Sequence, residues 1–407
     1  MTLLDPRASL FAPTTPPSNV HQDHTSAAQP WSSGLEDVVV ASTALSDVDG
    51  EAGRLTIAGR SLDEIAADAN VDFVDIAAVL DARARNDQVD ESFRDRFAVA
   101  RSRAFEAALA LPVQGDPMAH LAGTVATLAT LGAADDRRSA IDDDPAALVG
   151  VVHGVVAAAH RRMTGRARST APDAQSSAGA WLAAASADVD IDGEGAAAGA
   201  ALDRYLMTVV DHGMNASTFA ARVAASTRTS LRLCLVAGIA TLAGPLHGGA
   251  PGPVLDLFDA VDTRGIGVLA AELAAGRRLM GFGHRVYRTR DPRAAVLEQA
   301  CRTLGSAQAS GVSHRQRRRL SLATAIEAEA IRLLRDAHPE RELAANVEFF
   351  TALLLDSVGL DRTAFSLLFA AGRSAGWAAH ALEQRRVGKL IRPRSTMALS
   401  HAPDMRR

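Results

Sequence analysis

Lysine is nearly missing from these 407 residues: Lys389 is the single one among 43 basic side chains. The arginine skew runs along the whole chain, a pattern that codon usage explains better than a binding surface does. No basic excess accompanies it, since the formal net charge is −4, and this argues against general binding of nucleic acid or of a membrane surface. The two cysteines, Cys234 and Cys301, have neither CxxC spacing nor a histidine pair nearby. A disulfide framework is therefore not expected, and neither is a metal site. No apolar run reaches the roughly 18 residues a helical span needs, and the N-terminus lacks a basic region leading into an apolar one. The expected location is cytoplasmic.

Aromatic residues make up only 4% of the chain, yet 48% is hydrophobic and alanine is abundant. That combination points to an all-α fold, with small side chains at close helix contacts. A chain of this length has room for one large domain and a smaller one. Residues 1–33 carry Pro16-Pro17 and no apolar periodicity, and are expected to be disordered. Structure is expected to begin at Gly34 with the run to Val40, followed by a tight turn at Asp47-Val48-Asp49-Gly50, which together suggest a small N-terminal β-hairpin. Ser61 with Glu64 three residues on is a capping box, so a helix should follow through Ala67. Asp144 and Pro145 mark the start of a second helix running to Met163. A third, long and nearly continuous, is expected from Ala216 to Leu242, and the segment from Gly165 to Gly195 reads mainly as loop with a short helical piece.

Three clusters place a histidine or a carboxylate beside glycines or at a helix boundary, where backbone can approach a ligand. They are Gly244-Pro245-Leu246-His247-Gly248-Gly249-Ala250, Met280-Gly281-Phe282-Gly283-His284-Arg285-Val286-Tyr287 running on to Asp291-Pro292-Arg293, and Asn346-Val347-Glu348-Phe349-Phe350. Two imidazoles and a carboxylate can polarise carbonyls and remove a proton from carbon. Taken singly, a loop histidine is more often structural or solvated, and a lone Gly-x-Gly is weak support for phosphate binding. His153 and His160 read as packing or surface residues, and the run from His314 to Arg319 as a solvated helix start.

In this order, and together with Asp211-His212-Gly213-Met214-Asn215-Ala216-Ser217-Thr218, Leu368 to Trp377 and Leu390 to Ser395, the clusters resemble the citrate synthase family over roughly Gly34 to Ser395. The resemblance implies a two-domain helical fold, with a large domain over 34–248 and 360–407 and a small one over 249–359. It implies condensation of acetyl-CoA with oxaloacetate and water to citrate and CoA through an enol(ate), within the tricarboxylic acid cycle. The alternatives are 2-methylcitrate synthase using propionyl-CoA, or a catalytically weak paralogue that binds oxaloacetate or CoA. His247 would hydrogen-bond the thioester oxygen, His284 would polarise the ketone, and Glu348 would take the methyl proton. His212, Arg293, Arg373 and Arg392 would hold the oxaloacetate carboxylates, Arg392 reaching into the partner subunit of a homodimer. Gly281, Phe282 and Gly283 would lie against coenzyme A, with Arg288 and Arg290 as weaker candidates for its phosphates. The acyl-CoA is a co-substrate, and no permanently bound cofactor is implied. Three positions depart from the family's usual pattern: Glu348 replaces an aspartate, Gly213 a glutamate, and Pro251-Gly252-Pro253 an Asn-Glu-Ala.

Overall fold

The computed structural model describes residues 33–35, 38–113, 115–131, 143–166, 171–187, 196–248, 251–283, 287, 289–306, 314–341 and 343–395. Its helices are α1 (Leu62–Ala67), α2 (Phe73–Arg85), α3 (Phe93–Leu109), α4 (Pro117–Leu131), α5 (Pro145–Met163), α6 (Ala178–Ala187), α7 (Ala196–Val209) and α8 (Ala216–Ser226). They continue with α9 (Leu231–Leu242), α10 (Pro251–Arg264), α11 (Val268–Ala274), α12 (Pro292–Gly305), α13 (His314–Ala337), α14 (Val347–Ser357) and α15 (Phe365–Val387). The fold is all-α apart from a three-stranded antiparallel sheet in the order β1 (Ser46–Asp49), β2 (Arg54–Ile57), β3 (Arg60–Ser61). From Thr43 onward the chain forms one compact unit.

Local chemistry explains the clearest boundaries. The Ser61 hydroxyl accepts from Glu64 N while the Glu64 carboxylate accepts from Ser61 N, so both free amides at the start of α1 are satisfied. Asp144 accepts from Ala146 N and Ala147 N, and Pro145 fills the first position of α5, where no amide proton is needed.

Helix α5 is buried on every side from Pro145 to Arg161, which makes it a central core helix. Its two glycines let α3 approach closely. A Cβ on Gly150 would stand 2.3 Å from Phe97 O, and one on Gly154 would stand 2.3 Å from Arg101 O. The long C-terminal helix α15 packs against α2, α5, α7, α8 and α9, and is buried from Ala370 to Ala381. Both histidines of α5 are packing residues within this core: His153 bonds Ala371 O at 3.0 Å, and His160 bonds Ser186 O at 3.0 Å.

Several expectations need correction. The hairpin exists, but its first strand is Ser46–Asp49, residues 38–43 have no regular structure, and the turn falls at 50–53. Val39 is 90% exposed, so the β-branched run from Val38 has no apolar partner to pair it into a sheet. The single helix expected from Ala216 to Leu242 is two. Arg228 takes a left-handed φ of 64°, and Ser230 begins α9 by accepting from Leu233 N. Within the arginine run, Arg319 is buried and paired with Asp259 at 2.6 Å and Asp356 at 3.2 Å, so that turn of α13 is docked and not solvated. The segment 165–195 contains α6, longer than a short piece. The tail expected to be disordered lies outside the described residues but for Ser33.

Candidate active site

His247 stands in the turn after α9, at the edge of a polar network laid down by the start of α8. Asn215 caps α8 by accepting from Thr218 N at 3.1 Å and also accepts from Ser217 Oγ at 2.8 Å. Trp377 on α15 donates its indole N–H to the same Ser217 Oγ at 3.1 Å, and His247 Nε2 lies 2.8 Å from it. The hydroxyl has one proton for two acceptors. Ser217's backbone amide, which can only donate, faces Nε2 at 3.4 Å and favours the tautomer with the ring proton on Nδ1. Burial, and then the charge of Arg373, lower the His247 pKa to about 4. The ring is neutral near pH 7 and can donate a hydrogen bond without giving up its proton.

Arg373 is 1% exposed, donates Nε to Val209 O at 2.6 Å and stacks its guanidinium 4.9 Å from the Phe369 ring. Burial pulls its pKa down to about 10, with Asp211 opposing, so it remains a cation. Arg293, at the start of α12, is buried in a fork with Asp291: Nε to Oδ1 at 3.0 Å and Nη2 to Oδ2 at 2.8 Å. Burial works against its charge, but the Asp291 carboxylate outweighs this and raises its pKa. His212 Nε2 lies 3.0 Å from the Tyr287 hydroxyl, and the Arg293 guanidinium stands 5.9 Å from the Tyr287 ring centre. His212 therefore reaches the Arg293 side of the site through Tyr287.

Glu348 occupies the first turn of α14, which Asn346 caps by accepting from Glu348 N at 3.1 Å and Phe349 N at 3.3 Å. Burial raises the Glu348 pKa above its ordinary value, with the Arg293 charge opposing, which makes it a stronger base than a solvated glutamate. The segment 281–283 is zipped to the approach of α14. Gly283 N donates to Ala344 O at 2.9 Å, Asn346 N donates to Gly281 O at 2.9 Å, and Asn346 Nδ2 donates to Gly283 O at 2.8 Å. Gly281 and Gly283 have φ of 89° and 77°, values that strain any residue with a Cβ. A cleft of about 280 Å³ opens alongside, between Gly283, Tyr287, Asp291, Arg341, Ala345 and Asn346.

The structure thus gathers His247, Arg373, Arg293 and Glu348 into one electrostatically coupled group, with His212 joined through Tyr287. His284 and Arg288 lie outside the described residues. Arg290 is exposed and paired with Glu298. Arg392 is exposed on the segment after α15, and among the described residues no hydrogen bond or ion pair joins it to the others. Ser217, Tyr287, Asp291, Asn346 and Trp377 were not singled out as site residues in the sequence. Asn346 and Asp291 carried a signal, each being a capping residue two positions before a candidate.

Two absences complete the description: among the described residues no His, Cys, Asp and Glu cluster could hold a metal ion, and no helix is long and apolar enough to cross a membrane.

The family model described as "Citrate synthase, C-terminal domain" matches residues 34–394. A citrate synthase of Haloferax volcanii is 32% identical over 374 residues, 89% of this chain and 94% of that protein. A putative citrate synthase 2 of Mycobacterium tuberculosis is 45% identical over 195 residues, 47% of this chain, and the match spans only about half the relative's length, 49%. Among solved structures, citrate synthase from Thermoplasma acidophilum, in a ternary complex with carboxymethyl coenzyme A and oxaloacetate, superposes with a TM-score of 0.73 at 25% identity, covering 92% of this chain and 98% of that one. The enzyme from Pyrobaculum aerophilum gives a TM-score of 0.74 at 27% identity over 92% and 94% of the two chains. With the motifs in order, the helical fold shared and the family model matched over residues 34–394, this chain belongs to the citrate synthase family.

Proposed function

We propose that the protein is a citrate synthase, condensing acetyl-CoA with oxaloacetate and water to citrate and CoA. The observation that carries this reading is the combination of a neutral, half-buried imidazole at His247 with a carboxylate at Glu348 whose pKa burial raises. A thioester methyl proton is too weakly acidic for an unaided carboxylate, so charge developing on the thioester oxygen must meet a donor already in place. In this reading His247 Nδ1–H is that donor and Glu348 takes the proton. The enol carbon then attacks the keto carbon of oxaloacetate, which His284 polarises, and water cleaves the resulting thioester. Arginine forks suit carboxylates, which assigns Arg293 and Arg373 to oxaloacetate with His212, and Arg392 to the partner's site in a homodimer. Gly281, Phe282 and Gly283 offer backbone to the coenzyme A arm.

The test is release of free thiol from acetyl-CoA and propionyl-CoA in parallel, with and without oxaloacetate. Oxaloacetate-dependent release, faster with acetyl-CoA, is expected, and Glu348→Gln should lose several orders of magnitude while still binding oxaloacetate. Faster turnover of propionyl-CoA would make the protein a 2-methylcitrate synthase. Turnover by Glu348→Gln equal to that of the native protein would remove Glu348 from the mechanism.

A further inference from the structure

Tyr205 lies on α7 and is fully buried, yet its hydroxyl has no hydrogen-bond partner among the described residues. Such a group is a standing cost in a folded protein unless another state of the molecule satisfies it. Helix geometry shows where it faces. Tyr205 sits one turn before Val209, on the same side of α7, and Val209 is the residue whose carbonyl takes the Arg373 Nε at 2.6 Å. The contact between α7 and α15 is tight at that level, since a Cβ on Gly372 would fall 2.5 Å from Val209 Cγ2. Helix α14, whose first turn bears Glu348, also packs on α7. The charges of Arg373 and Glu348 both act on the Tyr205 hydroxyl, so it lies within electrostatic reach of both.

We propose that Tyr205 is a positioning residue for Glu348: in the substrate-bound state its unpartnered hydroxyl donates to the Glu348 carboxylate and holds this long side chain in line with the methyl group. The idea rests on the reading of Glu348 as the base. A glutamate has one more rotatable bond than an aspartate, and a donor from a rigid, buried ring removes that freedom at the place where about 1 Å matters. The Tyr205 O–H remains neutral throughout, because burial pushes its pKa up. Donation to the ionised carboxylate favours the charged form, so the bond also sets the pH at which the base becomes active.

The experiment uses the full chain and three backgrounds. Tyr205→Phe should fold with undiminished thermal stability, because the hydroxyl it removes makes no bond in the ligand-free protein. Its kcat should fall roughly ten- to a hundredfold with the KM for oxaloacetate nearly unchanged, and the acid limb of its kcat profile should move to higher pH. In the Glu348→Asp background the shorter carboxylate falls out of reach, and adding Tyr205→Phe should change kcat by less than twofold. An acid limb that stays in place in Tyr205→Phe overturns the proposal whatever happens to kcat. Full turnover by Glu348→Gln overturns it too, but by removing the base itself, so the two failures are distinguishable.

Discussion

Glu348 carries one methylene more than the aspartate its motif usually holds; Asn346 fixes the backbone before it and Arg293 supplies an opposing charge. Glu348→Asp should therefore pull the carboxylate back by over ~1 Å and lower kcat by roughly 100-fold, with oxaloacetate binding little altered. Stopped-flow turnover would check this, and a faster Asp variant would mean that the backbone had never adapted to glutamate. The pH profile divides between the two central groups. His247, with its pKa lowered to about 4, is already neutral over the range where a raised Glu348 ionises. Activity should fall with acid along a limb lying above 4.5, the ordinary glutamate value, and that limb belongs to Glu348. Much of this site was legible residue by residue, since His247, Glu348 and the arginines stand in short motifs. The groups that hold them were not, because Ser217 meets His247 across 30 residues and Trp377 across 160. No local pattern records such pairings.

Elements were legible where their chemistry is local. Asp144-Pro145 and Ser61 with Glu64 begin helices at the expected residues, whereas the break between α8 and α9 falls at Thr227-Arg228-Thr229-Ser230, which has neither glycine nor proline to announce it. Helix contacts also depend on positions that only packing reveals. Gly154→Ala would drive a Cβ to 2.3 Å from Arg101 O and 2.7 Å from Phe105 N, both backbone, so α3 must shift away from α5. A loss of about 1–3 kcal/mol is expected, seen as a drop of several degrees in Tm, with Gly123→Ala as the control that should hold or raise Tm, because it too lies in a helix but nothing lies within 4 Å of its Cβ. Equal Tm values for the two would refute the close-packing account. Asp203 ties two other helix starts together, accepting from Gly179 N at 3.0 Å and Phe73 N at 3.3 Å. Burial, reinforced by Asp72, raises its pKa to about 7. With the folded value above the unfolded one of about 3.9, this group favours folding most below roughly pH 4 and loses that contribution as pH rises through about 7. Denaturant titrations should show the native protein losing stability relative to Asp203→Asn between those values, by on the order of a few kcal/mol. Parallel stability curves would rule the linkage out.

At the scale of the whole molecule, the all-α architecture could be read from composition, but the surroundings of Arg392 could not. That residue is exposed on a segment held by Ile391 N to Ser226 Oγ at 3.1 Å and Gln384 Nε2 to Lys389 O at 3.0 Å, which fix the root of its side chain. If a second subunit receives it, Arg392→Ala and His284→Ala proteins, each nearly inactive alone, should regain part of the native activity when refolded as mixed dimers. Confirmed mixed dimers without rescue would end the shared-site idea. The segment 249–359 bears His284, Arg293 and Glu348, while His212, His247 and Arg373 lie in the remainder. Closure of one part on the other is the expected response to oxaloacetate, and an unchanged scattering curve at saturation would count against it.

The indole of Trp377 has a use that catalysis does not call on. It is fully buried and donates to the hydroxyl that also touches His247, whereas Trp181, the other tryptophan among the described residues, lies 4.5 Å from the Arg101 guanidinium in a separate part of the core. Any ligand that draws His247 away from Ser217 must redistribute the hydrogen bonds around that one chromophore. If His247 meets the thioester oxygen as proposed, intrinsic fluorescence of a protein carrying both Trp31→Phe and Trp181→Phe should report thioester binding in real time and without a label, at a distance of three hydrogen bonds from that oxygen.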